Sequence, residues 1–210
     1  MDYRHETLLK YLADAAAPRP TPGGGSAAAI AAALATTMAS MAAGYTVGKE
    51  RFKAVEAEAS DIQSRLEALR GRLLDLAADD ARAYETLRIA RRLPGESADE
   101  QAAREGTLRD AMSRSLAVCE AVLDAAVETL EAARRLADIG NPNLASDVGV
   151  AAELALGAAR AAGMNVAANL AGYADASAAV AVRGRTDERL ARAERLAGET
   201  RDAVLARLRR

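Results

Sequence analysis

One histidine, His5, and one cysteine, Cys119, are all the imidazole and thiol in this chain of 210 residues. Within a single chain that excludes a zinc site of the usual His/Cys kind. A Ser-His-Asp arrangement is excluded on similar grounds, because His5 falls in a fraying first helix turn. Acid–base chemistry is left to Asp, Glu, Lys and Tyr, so a carboxylate in an unusual place is the first thing to look for. Cys119, inside the helical run "SLAVCEAVL", reads as a small buried hydrophobe.

Asp80 is such a carboxylate. Val55, Ala59, Ile62, Leu66, Leu69, Leu73 and Leu76 alternate spacings of four and three, an apolar seam of the coiled-coil type. The same count continues to Asp80, Ala83 and Leu87. Asp80 therefore takes a position that faces the core or a partner helix, while Asp79, about 100° round the helix, is free to be solvated. Four readings compete for Asp80: a salt bridge, a helix bend, a seam opening to solvent, or a partly buried carboxylate. The last would have a raised pKa suited to proton transfer near neutral pH. Tyr84, one turn on, offers a hydrogen bond or a ring wall.

The stretch "PTPGGGS" places Gly23, Gly24 and Gly25 directly before Ser26. It lacks the lysine and the spacing of a phosphate-binding Walker loop. Two readings remain: a plain flexible connection, or a cradle that lets a ligand approach the backbone at a helix start and meet unpaired N–H groups there. The flanking prolines argue against floppiness. Beyond Gly48, Lys49 and Arg51 suit a helix C-terminus by charge alone, and are also placed to hold an acidic tail. Between Gly140 and Leu170 only Asp147, Glu153 and Arg160 are charged, so that helix is expected to be central. Asn165 and Asn169 share a face, and buried amides need partners from backbone or ligand. Asp147 lies five turns before Asn165, roughly 27 Å along an unbroken helix. One small ligand cannot touch both unless a break or an antiparallel partner subunit intervenes.

The elements that position these residues read as helices throughout. The helical period runs along nearly the whole chain, and no strand-like alternation occurs. A first helix is expected over residues 4–16, and "PRPTP" is extended. Ser26 is placed as N-cap of a helix reaching Gly44 or Val47. A third helix covers about 53–92, and Ser97 with Glu100 has the spacing of a capping box opening a helix to Asp138. "GNPN" breaks the chain, and Ser146 is placed as the next cap. "RGRT" marks a break near Gly184, with Thr186 opening the last helix. The expected fold class is all-α, an antiparallel bundle of long Ala-rich helices forming a single domain over 1–210.

Composition narrows the partners. Twenty-eight basic and 30 acidic residues leave a net charge of −2, with no electrostatic footprint for nucleic acid or an anionic membrane. From Pro20 to Gly48 there is no charge, a run long enough to span a bilayer. Its large apolar residues, Ile30, Leu34, Met38 and Met41, draw one stripe rather than an all-round lipid face. The early charges Asp2, Arg4, Glu6 and Asp14 do not fit a secretory signal. A cytoplasmic protein is expected.

"PTPGGGSAAA", "SMAAGYTVGKERF", "DDARAY" and "GNPNLASDVGVAA…NVAANL" together, in this order, resemble the cyclodeaminase/cyclohydrolase family, over about residues 5–200. Its members include the C-terminal cyclodeaminase domain of formiminotransferase-cyclodeaminase and stand-alone methenyltetrahydrofolate cyclohydrolases. The resemblance implies an all-helical homodimer acting on one-carbon tetrahydrofolate derivatives without metal or redox cofactor. It makes Asp80 the catalytic carboxylate, matches Gly23, Gly24, Gly25 and Ser26 to the glycine loop, and matches Ser146 and Asp147 to an S-D pair. Where some relatives carry a second acid two places before the aspartate, this chain has Ala78. Joined with the residue readings, it implies folate contacts at Lys49, Arg51, Tyr84, Asn165 and Asn169 as well. The function expected is methenyltetrahydrofolate hydrolysis. The alternatives are formimidoyltetrahydrofolate cyclodeamination, with release of ammonia, and a non-catalytic helical interaction module.

Overall fold

The seam on the third helix is the backbone of the core. Ile62, Leu66, Leu69, Leu73 and Leu76 are all buried, and so are Ala83 and Leu87 beyond the aspartate. The computed structural model describes residues 2–171, 173 and 175–209. Among the described residues there is no strand. Six α-helices follow one another: α1 Leu8–Ala16, α2 Gly24–Gly44, α3 Glu56–Ala90, α4 Ala98–Ile139, α5 Ala145–Leu170 and α6 Ala176–Leu208. Two 3-10 turns, Glu50–Val55 and Pro142–Leu144, lead into α3 and α5. The all-α bundle expected from the period is the observed fold.

Successive long helices run antiparallel. The start of α2 meets the end of α3, where Ser26 touches Asp80, and its end meets the start of α3, where Gly44 faces Gln63. α2 and α5 also run in opposite senses, since Gly24 faces Asn165 and the Tyr45 carbonyl accepts from Asn141. Arg135–Glu58 and Arg65–Glu128 cross between α3 and α4, and Arg185–Glu120 and Arg189–Asp124 between α4 and α6. Such exposed pairs contribute about 0–1 kcal/mol each, so they fix alignment more than stability. Stability comes from the shared core, where Leu73, Leu123, Leu130 and Leu136 are sealed among alanines of α2 and α5. Small residues let these helix axes approach closely, and packing at that density is sensitive to single methylenes.

Several boundaries differ from the sequence expectation. α1 starts at Leu8, capped by the Thr7 hydroxyl, not at residue 4. Gly23, not Ser26, is the N-cap of α2, and Ser26 lies inside the helix, buried. Leu144 precedes α5 and no side chain caps it, so Ser146 is interior to that helix. There is no break at Gly184: α6 runs through it from an N-cap at Asp175, and the Thr186 hydroxyl donates to the Val182 carbonyl within the helix. A hydroxyl that bonds back one turn is indistinguishable, in sequence, from one that caps. The capping box of Ser97 and Glu100 is formed as expected.

Candidate active site

Asp80 projects from α3 at the level where α2 begins. Its Oδ2 accepts the Ser26 N–H at 2.9 Å, so a carboxylate from another helix supplies the cap that α2 does not get from its own N-cap residue. The partial positive charge of a helix N-terminus favours that placement. Gly25 makes it possible, because a β-carbon there would overlap the Asp80 carboxylate. The glycine run is thus a cradle, and its first occupant is the protein's own carboxylate. Of the competing readings of Asp80, the salt bridge is not formed among the described residues. Burial pushes its pKa above the ordinary carboxylate value, and the Ser26 N–H opposes this in part. Asp79 is tied to Arg82 on the outer face.

Asp80 opens into a pocket of about 250 Å³ between the α2 start and the faces of α4 and α5. Gly23, Gly24, Gly25, Tyr84, Asn165 and Asn169 line it, so the structure brings these expected residues together with Asp80. Asn165 donates to the Ala161 carbonyl, which leaves its Oδ1 beside Gly24. Asn169 donates to Ser115 Oγ at 3.1 Å and to Cys119 Sγ at 3.5 Å. Ser26 does not line the pocket; it lies beneath it, with its hydroxyl 3.3 Å from the buried Tyr11 hydroxyl.

Sequence reasoning missed four walls of this pocket: Pro20, Thr21, Ser115 and Cys119. Cys119 is buried as expected, yet it also faces the site. Burial, with the Asp80 charge adding to it, pushes its thiol up to about 12, so it is not a nucleophile here. The available signal was the spacing of Ser115 and Cys119, one turn apart on α4, which matches Asn165 and Asn169 on α5.

Lys49, Arg51, Ser146 and Asp147 lie elsewhere. They cluster at the far end of α2, where buried Asn141 of the "GNPN" turn ties the chain together. Asn141 donates its backbone N–H to Thr46 Oγ1 and its amide to the Tyr45 carbonyl, and accepts from Arg51 at 2.8 Å. Ser146 is exposed and Asp147 half-buried one turn into α5. One subunit does not bring these four residues to Asp80.

The all-α bundle thus sets a half-buried carboxylate on a helix start, facing amides and hydroxyls across a small pocket. The formiminotransferase-cyclodeaminase family model matches residues 7–188, and this chain belongs to that family of cyclohydrolase and cyclodeaminase enzymes. It is 34% identical over 195 residues to a methenyltetrahydrofolate cyclohydrolase of Methylorubrum extorquens, covering 93% of this chain and 90% of that one. It is 29% identical to a formimidoyltransferase-cyclodeaminase of Sus scrofa, covering 97% of this chain but 38% of that longer protein. The crystal structure of a formiminotetrahydrofolate cyclodeaminase from Thermotoga maritima superposes with a TM-score of 0.82 at 29% identity, covering 98% of this chain and 96% of that one.

Proposed function

We propose that this chain hydrolyses methenyltetrahydrofolate to formyltetrahydrofolate in one-carbon metabolism, with Asp80 as the proton-transfer group. The observation that carries the reading is the Asp80 carboxylate itself, half-buried, with its Oδ2 on the Ser26 N–H and the pocket in front of it. The bridge carbon of the substrate belongs to an amidinium-like cation, which a carboxylate without a cation of its own attracts. As water adds to that carbon, one of its protons passes to Asp80, and a neutral carbinolamine results. Asp80 then returns the proton to one of the two bridging nitrogens. The C–N bond to that nitrogen breaks, the hydroxyl oxygen becomes the formyl carbonyl, and the hydroxyl proton leaves to solvent. One water is consumed and one proton released. The electrophile is already charged, so the step calls for no metal or redox cofactor.

In this reading Asn165 Oδ1 accepts from a pterin N–H, the side-chain oxygen of Asn169 does the same, and Tyr84 walls the ring. Gly24 lets the ligand lie against the backbone. The working form we propose is a cytoplasmic homodimer. The 34% identity to a cyclohydrolase over nine-tenths of both chains supports the hydrolase reading. The likeness to the Thermotoga cyclodeaminase favours a second reading, closure of a formimino compound with release of ammonia. Purified protein should remove the methenyl absorbance faster than buffer and release no ammonia from formiminotetrahydrofolate. Ammonia release at a comparable rate would select the second reading, and inactivity in both assays would overturn both.

A further inference from the structure

The walls of the Asp80 pocket do not stop at the pocket. On α4, Leu108, Met112, Ser115 and Cys119 are spaced by four, three and four, so they draw one stripe along the helix. Ser115 and Cys119 wall the Asp80 pocket, and Leu108 and Met112 wall a groove of about 530 Å³ beyond it. The opposite wall continues in the same way. Asn169 donates to Ser115, and four residues later the Tyr173 hydroxyl shares a 3.0 Å hydrogen bond with Ser113. Pocket and groove are therefore successive stretches of one path, a helical turn apart.

The chemistry changes along this path. At the Asp80 end the walls are amides, hydroxyls and a carboxylate. In the groove, Leu108, Met112 and the Tyr173 ring are half-buried and present an apolar lining. A thioether and a phenol ring are good neighbours for a further aromatic ring. At the outer end stands Arg109, six residues before Ser115 and so about 9 Å further along α4. Among the described residues Arg109 makes no ion pair. Two acids also line the groove. Asp175 is engaged at the start of α6, accepting the N–H groups of Ser177 and Ala178. Glu105, exposed one turn before Arg109, lowers the local positive potential without bonding to the guanidinium.

We propose that this groove holds the tail of the substrate, with the aminobenzoyl ring against Met112 and Tyr173 and the first glutamate carboxylate on Arg109. The pterin end then lies at Asp80. Size supports the division, since about 250 Å³ is short of the roughly 300–1,000 Å³ of small-molecule sites, and pocket and groove together fall inside that range. Charge supports it as well, because a planar guanidinium matches a carboxylate with two parallel hydrogen bonds. The choice of a folate rests on the reading above; the groove itself asks only for an aryl amide that ends in a carboxylate.

The subsite is tested first without turnover, by titrating p-aminobenzoylglutamate, the tail alone, in ligand-observed NMR. Wild type should bind it, and Arg109→Ala should weaken binding about tenfold, the loss of a hydrogen bond to a charged group. Arg114→Ala, an exposed cation about 140° round the same helix, should leave the affinity unchanged. Glu105→Gln removes a charge that repels the carboxylate and should tighten binding about twofold. No binding by wild type at millimolar ligand, equal affinity in Arg109→Ala, or weaker binding in Glu105→Gln overturns the subsite.

Turnover then separates the tail from the reacting end. With methenyltetrahydrofolate, Arg109→Ala should raise KM about tenfold and leave kcat unchanged. With methenyltetrahydropteroate, which ends at the benzoate, the same variant should change neither constant. An equal rise in KM on the truncated substrate would show that Arg109 does not read the glutamate, and would overturn its role. A working hydrolase indifferent to Arg109 would sink the subsite alone. Arg109-dependent binding of the tail by a protein with no hydrolase or deaminase activity would sink the folate reading alone.

Discussion

Replacing Gly25 with alanine tests the cradle. The added β-carbon would overlap the Asp80 carboxylate, so the side chain must leave the Ser26 N–H it now accepts at 2.9 Å. A hydrogen bond to a charged group contributes about 1.5–3 kcal/mol net. Alanine returns up to about 1 kcal/mol of helix propensity. The balance is a loss of about 1–2 kcal/mol, which for a domain of this size lowers Tm by about 2–8 °C. Turnover should suffer far more, because a carboxylate displaced by about 1 Å costs about 10²-fold in rate. Thermal melts followed by circular dichroism, beside the methenyl absorbance assay, read both quantities. Gly71→Ala is the control on the same helix as Asp80: nothing lies within 4 Å of the added carbon, so it should stabilise by about 0.5–1 kcal/mol and leave turnover alone. A Gly25→Ala protein with wild-type kcat would refute the claim that the helix start positions the base.

Other consequences follow from the same groups. Because burial raises the Asp80 pKa and the ionised form is the base, the acid limb of kcat/KM should titrate above the ordinary carboxylate value of 3.8. A limb at or below that value would contradict the burial argument. Asp14, buried where Lys10, Arg19 and Tyr3 converge, has its pKa lowered, mainly by the Lys10 hydrogen bond. It stabilises the fold above the unfolded pKa, and that contribution is lost as pH falls through the lower folded value. Asp14→Asn should therefore melt below wild type at neutral pH, with the gap closing in acid below about pH 4, the unfolded pKa of a carboxylate. Cys119, with its thiol pushed up to about 12, should resist maleimide at pH 8 in the folded protein and react on unfolding in urea; rapid labelling of native protein would show that the pocket is far more open than described.

How much of this was legible in the sequence depends on how local the signal is. The seam is a run of seven apolar residues, six of them in α3 and Val55 just before it, and its interruption at Asp80 located the candidate base without any tertiary information. The capping box at Ser97 is equally local, and it formed. The partner of Asp80 was not legible, because the Ser26 N–H lies 54 residues away. For the same reason Ser26, a good cap by type, was displaced from that role by a carboxylate on another helix. The stripe of Ile30, Leu34, Met38 and Met41 was legible as a stripe, but not its direction. Alanine packs more closely than leucine, so the core took the small face of α2 and left the large one outside. "GNPN" read as a helix breaker, whereas Asn141 is a buried knot binding Thr46, Tyr45 and Arg51, contacts that span 90 residues or more. The pocket walls Ser115 and Cys119 are marked in their own helix only by their one-turn spacing, which becomes a signal once it is set beside that of Asn165 and Asn169 on α5.

The most direct test of the central claim is Asp80→Asn in the methenyl hydrolysis assay. Asparagine keeps an oxygen for the Ser26 N–H, so helix content should match wild type, and dimerisation is expected to persist. With the proton acceptor gone, kcat is expected to fall by about 10²- to 10⁴-fold, the usual contribution of a general acid–base group. A folded Asp80→Asn protein that turns over at the wild-type rate would contradict the account.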